Sequence, residues 1–226
     1  MQITPLHAWD LTPQEAIALQ NRLRRLVVLE DYLSEVRHIG GVDLSFARDS
    51  DQGWAGVVIL QMPELTLIES QTVTGPVPFP YIPGLLSFRE LPLLLQALER
   101  VEHTPDVILC DGQGIAHPRG LGIASHLGLF LNLPTVGVAK SRLTGYYREP
   151  DPLPGSYTHL YDRQGRVIGA VLRTKPRTKP LFISPGHRIT LATALTLVMQ
   201  SLRGFKLPEP IRQAHQLVNR ARRSAL

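Results

Sequence analysis

The apolar segment 107–110 runs directly into Asp111 and then into a glycine-containing turn, Gly112–Gly114. A short segment that is apolar at every position is typical of a strand buried on both faces of a sheet. Because glycines allow a tight turn, we expect the Asp111 carboxylate at the edge of that sheet. Asp43, within Gly40–Phe46, has a similar setting. Two carboxylates beside buried strands are costly unless something binds them, and divalent cations commonly do so.

The length and charge of the chain limit its class. Its 226 residues fit one α/β domain spanning 1–226. The 24 Lys and Arg exceed the 19 Asp and Glu, which favours a polyanionic partner without requiring one. The single cysteine, Cys110, excludes an internal disulfide and is expected in the core. We find no signal peptide and no apolar run of about 20 residues, so we expect a cytoplasmic protein with no membrane partner.

Hydrophobic periodicity predicts alternating helices and strands. Thr12–Glu15 carries the capping residues of a helix start, and Pro76–Pro83 is a stiff, proline-rich loop. Because Pro92 lacks an amide proton, we expect a break or a fresh start in its helix. Further along the chain, Ser184–Gly186 is expected to lead into another helix. The predicted elements, in chain order, are the strands 38–47, 54–61 and 65–74, the helix 85–102, the strand 107–111, the helix 121–131, the strands 135–139, 158–161, 167–173 and 182–183, and the helices 189–202 and 209–223.

The order of these elements predicts the fold class. Three antiparallel strands followed by strand, helix and strand is the ribonuclease H-like arrangement, so we predict an α/β fold with a mixed β-sheet flanked by α-helices. In that arrangement the first and fourth strands lie side by side and run parallel. Asp43 and Asp111 would then be neighbours, although they are far apart in the chain.

Carboxylates grouped at a sheet edge can support phosphodiester hydrolysis. Two cations about 4 Å apart can activate the attacking water, offset the transition-state charge and stabilise the leaving oxygen. Such a site needs about three carboxylates. Glu90, which follows Phe88-Arg89, is the candidate for the third. A single acid is usually a surface charge or a helix cap, and this alternative stays open for Glu90.

Three further side chains have both a functional and a structural interpretation. Lys140, at the end of a predicted strand, can hold a phosphate oxygen or be a plain surface lysine. His215 shares a helix face with Ile211 and Val218, so it can be catalytic or packed. His117, in the glycine turn, can contact phosphate or make a structural hydrogen bond.

The loop Phe79–Gly84 presents Tyr81 between closely spaced prolines. A rigid, exposed aromatic side chain can insert between bases and compensate for a base that has left the stack. Packing of Tyr81 on its own domain is the alternative.

Six sequence motifs, in their order along the chain, resemble those of one family, endonuclease V, the deoxyinosine-directed nuclease. Each motif is weak alone, but together they are specific and span most of the chain. They are Gly41–Ser45, Pro80–Gly84, Phe88–Glu90, Asp111–Gly114 with His117–Arg119, Gly137–Lys140 and Ser184–His187.

The resemblance implies a Mg²⁺-dependent DNA repair endonuclease, with Mn²⁺ able to substitute. Asp43, Glu90 and Asp111 would hold the metal, and Lys140 and His215 would complete the catalytic residues. The substrate would be DNA containing deaminated bases, chiefly deoxyinosine. The strand would be nicked at the second phosphodiester 3′ to the lesion, leaving 3′-hydroxyl and 5′-phosphate ends. The residues expected to contact substrate are Tyr81 as the wedge, Pro80, Ile82, Gly84, Leu85, Arg89, Gly112 and His117.

The chemistry of the lesion agrees with a tight pocket. Hypoxanthine has an acceptor at O6 and a donor at N1, and adenine has the reverse, so one N–H and one carbonyl would separate them. One alternative is an inosine-specific endoribonuclease of the same family. A second is the nuclease domain of the excinuclease C subunit, in which the Pro80–Pro83 motif is not expected. A third is a non-catalytic nucleic-acid-binding module, which would gain nothing from clustered carboxylates.

Overall fold

The computed structural model describes residues 1–47 and 50–225. Their helices are α1 (Pro13–Leu23), α2 (Leu86–Glu99), α3 (Ile123–Leu131), α4 (Leu191–Gln200) and α5 (Glu209–Ser224), with a 3₁₀ turn at Arg24–Leu26. Their strands are β1 (His38–Phe46), β2 (Gln52–Gln61), β3 (Thr66–Pro76), β4 (Val107–Cys110), β5 (Thr135–Ala139), β6 (Tyr157–Tyr161), β7 (Val167–Leu172) and β8 (Leu181–His187). In this part of the chain, no helix is both long and apolar enough to cross a membrane.

The strands form one mixed sheet in the order β3-β2-β1-β4-β5-β8-β7-β6. The strands β1, β2 and β3 pair as an antiparallel meander. The fourth strand, β4, lies parallel to β1, with Val42 opposite Cys110, and β5 lies parallel to β4. The predicted ribonuclease H-like arrangement is therefore confirmed, including the neighbouring first and fourth strands.

Helices cover both faces of the sheet. On one face, α2 and α3 pack on β1 and β4 around Val42, Cys110 and Phe130. On the other face, α4 and α5 pack around Leu109 and Val138. Because β4 is apolar at every position, it can face both cores, and Cys110 is buried in the first of them, as expected.

The expected helix break at Pro92 is wrong, because α2 continues through it from Leu86 to Glu99. A proline inside a helix costs about 3 kcal/mol. Burial of one leucine side chain is worth about 1.5–3 kcal/mol. The leucines at 91, 93, 94, 95 and 98 are all buried, so packing outweighs the lost hydrogen bond.

The predicted strand at 182–183 is too short, because Ser184–Gly186, expected to lead into the next helix, lie within β8. β7 pairs with β8 only as far as Ile183. Beyond that point β5 is the only strand beside β8 among the described residues, and such an edge tolerates a proline. The carbonyl of Pro185 accepts a hydrogen bond from the Ile115 N–H at 2.8 Å. Other element ends differ from the predictions by a few residues, as helix and strand ends commonly do.

Gly41 provides a test of the contact between β1 and α5. A Cβ at this position would lie 2.2 Å from the carbonyl oxygen of Pro210, a backbone atom of α5. We predict that Gly41→Ala lowers the free energy of unfolding by about 1–3 kcal/mol through overpacking. Urea denaturation measures this as a lower midpoint at an unchanged slope.

Gly75→Ala is the matched control on β3. Its added Cβ would meet only the end of the Leu93 side chain, at 3.0 Å. An equal loss of stability in both variants would contradict the proposed backbone clash.

Candidate active site

Asp43 and Asp111 lie next to each other at one edge of the sheet. Val42 is opposite Cys110 in the parallel pair, so the two following residues are both aspartates at the carboxyl end of that pair. Their side chains are only 12% and 15% exposed. The structure thus brings together the two acids that the sequence singled out.

Glu90, from the first turns of α2, completes a group of three interacting carboxylates. Burial raises the pKa of Glu90 well above its usual value, and the charges of Asp43 and Asp111 raise it further. Burial also raises the pKa of Asp43, with the charge of Asp111 adding to the effect. Asp111 is therefore close enough to Glu90 and Asp43 for its charge to oppose their ionisation.

Lys140 and His215 each bind one of the two strand-end acids. The Nζ of Lys140 donates a hydrogen bond to Oδ2 of Asp111. The Nδ1 of His215 lies 2.7 Å from Oδ2 of Asp43, and the His215 side chain is 50% exposed. Although Ile211 and Val218 are buried, His215 is half exposed and not packed with them, so the alternative of a packed histidine is wrong.

The chemistry of this donor set fits a hard divalent cation. Carboxylate oxygens are the preferred ligands of Mg²⁺, and a dication would relieve the repulsion among the three acids. Within residues 1–47 and 50–225, no three acid, histidine or cysteine side chains converge closely enough to hold an ion in their present conformations. Asp43 and Asp111 are instead paired with His215 and Lys140, so binding of such an ion would require these side chains to reorient.

A cavity of about 300 Å³ lies beside the acids, between the turn after β4, the first turn of α2 and the loop that carries Tyr81. Of the residues expected to contact substrate, Tyr81, Ile82, Gly84, Gly112 and His117 line it. Pro80, Leu85 and Arg89 are not among its described lining residues. The full lining is Gln20, Tyr81–Gly84, Leu86, Ser87, Asp111–Gln113, His117, Leu121–Ile123 and Ala139–Leu143.

The wall of the cavity at Gly84 is held by three buried or partly buried polar groups. The Gly84 carbonyl accepts hydrogen bonds from Nε2 of His117 at 2.9 Å, Nη2 of Arg119 at 2.7 Å and Nε2 of Gln20 at 3.0 Å. Gly84 has φ +84°, which favours glycine. His117 therefore makes a structural hydrogen bond here rather than presenting its ring to phosphate.

Sequence reasoning missed Gln20, and it quoted Arg119 within a motif without assigning it to the cavity wall. Gln20 is buried on the apolar face of α1, and its second hydrogen bond from Nε2 reaches the Leu121 carbonyl at 3.1 Å. Its Oε1 accepts a hydrogen bond from Nε of Arg119. A glutamine on the same helix face as Ala16 and Leu19 was the available signal, because a buried amide requires partners.

The Tyr81 ring is 70% exposed, so it does not pack on its own domain. Its loop is nevertheless anchored. Arg89 donates a hydrogen bond to the Phe79 carbonyl, and its guanidinium lies 4.5 Å from the centre of the Phe46 ring. Leu85 is buried in a core cluster. Arg89 and Leu85 thus attach the loop to the rest of the domain and leave the Tyr81 ring accessible to solvent.

Residues 21–216 match the model of the endonuclease V family. The chain is 51% identical over 215 residues to endonuclease V of Dehalococcoides mccartyi, an alignment that covers 95% of this chain and 96% of the relative. The chain belongs to the endonuclease V family. The predicted family resemblance is therefore confirmed, and with it the class of nuclease.

Solved structures of endonuclease V proteins share the whole fold. The Bacillus subtilis protein has a TM-score of 0.94 at 30% identity, with 100% of this chain and 98% of that one covered. A Ciona intestinalis endonuclease V, solved with a 24mer DNA containing an inosine followed by a riboadenosine, has a TM-score of 0.83 at 27% identity. That alignment covers 94% of this chain and 98% of the Ciona chain.

His117 predicts an acid sensitivity of this endonuclease V fold. Burial lowers the pKa of its ring to about 4, whereas the unfolded chain titrates near 6.5. Between these values the unfolded state binds more protons, so stability falls as the pH is lowered from about 6.5 towards 4. We predict that His117→Gln, which cannot titrate, reduces this loss by on the order of 2 kcal/mol.

Urea denaturation at pH 7 and near pH 4.5 measures the difference for both proteins. Other buried histidines contribute equally to both, so the comparison isolates position 117. An identical loss of stability in the wild type and in His117→Gln would contradict a neutral, hydrogen-bonded His117 ring.

Proposed function

We propose that this chain is a Mg²⁺-dependent endonuclease that recognises deaminated bases in DNA, chiefly deoxyinosine. It would nick the second phosphodiester 3′ to the lesion and leave 3′-hydroxyl and 5′-phosphate ends. The observation that carries the proposal is the cavity of about 300 Å³ that shares Asp111 and Lys140 with the carboxylate edge. The inosine in the DNA bound by the Ciona relative supports the substrate class.

Asp43, Glu90 and Asp111 would hold the metal ion, and Mn²⁺ could take the same oxygen ligands. A bound ion would polarise the phosphodiester and lower the pKa of the attacking water. His215 would keep the Asp43 carboxylate oriented through its 2.7 Å hydrogen bond, and its exposed ring could exchange a proton with the reacting groups. Lys140, once released from Asp111, would place a positive charge beside the phosphate oxygens.

The start of α2 would contribute to base recognition. Leu86 and Ser87 line the cavity. The N-cap residue of α2 is Leu85, whose apolar side chain cannot cap the N–H groups of the first turn. The first turn of a helix has N–H groups without helical partners, and these favour an acceptor such as O6 of hypoxanthine. An amino group at the same place, as in adenine, would leave those donors unpaired.

Tyr81 would act as a wedge. Its exposed ring stands beside the cavity that would receive the flipped base, so it could fill the gap left in the stack. Anchoring of its loop by Arg89 and Leu85 reduces the ordering cost on binding.

A strand-cleavage assay tests the proposal. Four substrates of one sequence carry inosine or adenosine at one position, as DNA or as RNA, and each is incubated with Mg²⁺ or with EDTA. We expect cleavage of inosine DNA with Mg²⁺, mapped to the second phosphodiester. The RNA substrates test the endoribonuclease alternative, which is of interest because a riboadenosine follows the inosine in the DNA of the Ciona complex. Preferred cleavage of inosine RNA would support that alternative. Cleavage that ignores the lesion, or persists in EDTA, would overturn the proposal.

The two strand-end aspartates give a sharper prediction. We predict that Asp43→Ala and Asp111→Ala each reduce cleavage to background while lesion binding remains largely intact, because both carboxylates would hold metal rather than base. Single-turnover cleavage and binding in EDTA measure the two effects. Asp151→Ala, an exposed acid outside the site, is the control and should cleave normally. Cleavage near the wild-type rate by either site variant would contradict the proposed role of these two carboxylates in catalysis.

For Tyr81→Ala, we predict weaker binding to inosine duplex. Loss of one base–aromatic contact worth about 1–3 kcal/mol corresponds to a dissociation constant about 5- to 150-fold higher. Bound substrate should still be cut with Mg²⁺, and the defect should shrink on single strands, where no stack must be opened. Tyr157→Ala, on β6 and 49% exposed, is the matched control. Unchanged duplex affinity in Tyr81→Ala would mean that the ring does not contact the DNA.

A further inference from the structure

The chain has a long acid-free segment that the proposed chemistry does not use. The 46 residues between Asp162 and Glu209 contain nine Lys and Arg but no Asp or Glu, although the whole chain has 19 acids in 226 residues. Four of these nine cations fall within residues 173–180, the connection from β7 to β8. We call residues 173–180 the basic loop.

Strand pairing places the basic loop at the catalytic edge of the sheet, which is the edge that carries Asp43, Asp111 and Lys140. Ala139, which precedes Lys140, pairs with Phe182 at the start of β8. Leu172, at the end of β7, pairs with Leu181. The loop between these two strands therefore projects from the same edge as Lys140, which is bound to Asp111.

The basic loop is internally braced. Arg173 donates hydrogen bonds to the Thr178 carbonyl across the loop and to Oε1 of Glu149 at 2.7 Å. The hydroxyl of Thr178 donates to the Lys175 carbonyl at 3.0 Å. The hydroxyl of Thr174 donates to the Lys206 carbonyl at 2.7 Å, which ties the loop to the connection between α4 and α5.

The remaining cations of this surface face solvent without a nearby acid. Lys175, Arg177 and Lys179 are exposed. Among the described residues, no carboxylate oxygen lies within 4.0 Å of the charged groups of these three or of Lys206. A rigid group of like charges at a surface creates a positive potential that an anion would relieve.

Lys206 connects this surface to the catalytic edge. Burial lowers the pKa of its ammonium group, and the charges of Lys140, Lys179 and Arg173 lower it further. Lys206 therefore lies near enough to both the basic loop and Lys140 for their charges to act on it.

We propose that the basic loop and Lys206 form a phosphate-binding track for the nucleic-acid strand beyond the point of cleavage. The base cavity is lined by the starts of α2 and α3, the Tyr81 loop, the turn after β4 and residues 139–143 at the end of β5. The track lies beyond β5 in the sheet, at the connection between β7 and β8. A strand with its lesion in the cavity and its target phosphate at the acids would continue over the track. This placement rests on the proposed function, in which cleavage is 3′ to the lesion, so the track would hold phosphates on the 3′ side.

A salt titration of binding tests the track. The variant Lys175→Gln/Lys179→Gln removes two exposed charges and keeps the hydrogen bonds that brace the loop. The matched control, Arg100→Gln/Arg163→Gln, removes two exposed charges after α2 and in the β6–β7 turn, at the opposite edge of the sheet. Fluorescence anisotropy in EDTA measures binding of single-stranded inosine DNA between about 50 and 200 mM salt.

We expect the track variant to bind several-fold more weakly and its log–log salt slope to fall by about 1.4, for two phosphate contacts. The control should keep the wild-type slope. Shortening the DNA to about two nucleotides 3′ of the inosine should abolish the difference between wild type and track variant, whereas shortening the 5′ side should not.

Equal slopes in the track variant and the control would overturn the track. A difference that disappears with the 5′ arm instead would overturn its placement on the 3′ side. Because binding is measured without metal, these results are independent of catalysis. Absence of wild-type cleavage of inosine DNA with Mg²⁺ would contradict the proposed function, whereas normal cleavage with unchanged slopes would contradict the track alone.

Discussion

The parallel pairing of β1 with β4 is the contact on which the site depends. It places Asp43 and Asp111 side by side, with Val42 opposite Cys110 in the buried part of the pair. Two neighbouring carboxylates repel each other, so the arrangement must be stabilised by something else. That stabilisation comes from the apolar strands, which helices cover on both faces. A shift of β1 by one residue would turn Asp43 towards the opposite face, so the register is strongly specified.

Close packing on β1 also determines which side chain of α5 reaches Asp43. The backbone of α5 approaches Gly41 so closely that a Cβ would lie 2.2 Å from the Pro210 carbonyl oxygen. This approach brings His215 within 2.7 Å of Asp43. On the other side, the end of β5 supplies Lys140 to Asp111. Each strand-end acid thus has one hydrogen-bonded partner, Lys140 for Asp111 and His215 for Asp43, and burial disfavours Glu90 as an anion.

The cavity beside the acids is shaped by buried polar contacts rather than by apolar packing alone. Gln20, His117 and Arg119 all donate to the Gly84 carbonyl, so the backbone at this wall is fixed from three directions. Satisfied buried networks of this kind rigidify a site. Rigidity would matter for the proposed recognition, because hypoxanthine and adenine have opposite donor and acceptor patterns at position 6 and N1. The positive surface of the basic loop, 173–180, lies at the same edge of the sheet and extends the region that can meet a polyanion.

The sequence by itself determined the fold class, the family and the pair Asp43 and Asp111, because these depend on local patterns: strand periodicity, strand order and motifs in a fixed order. It did not determine the continuous helix through Pro92, the bonding of Gln20 to the cavity wall, or the position of the basic loop. Each of these depends on partners distant in the chain. Leucine burial outweighs the lost hydrogen bond at Pro92, a buried amide takes its role from the carbonyls it meets, and pairing with β5 brings the start of β8 to the catalytic edge. Non-local burial and strand pairing therefore decided what the local patterns left open.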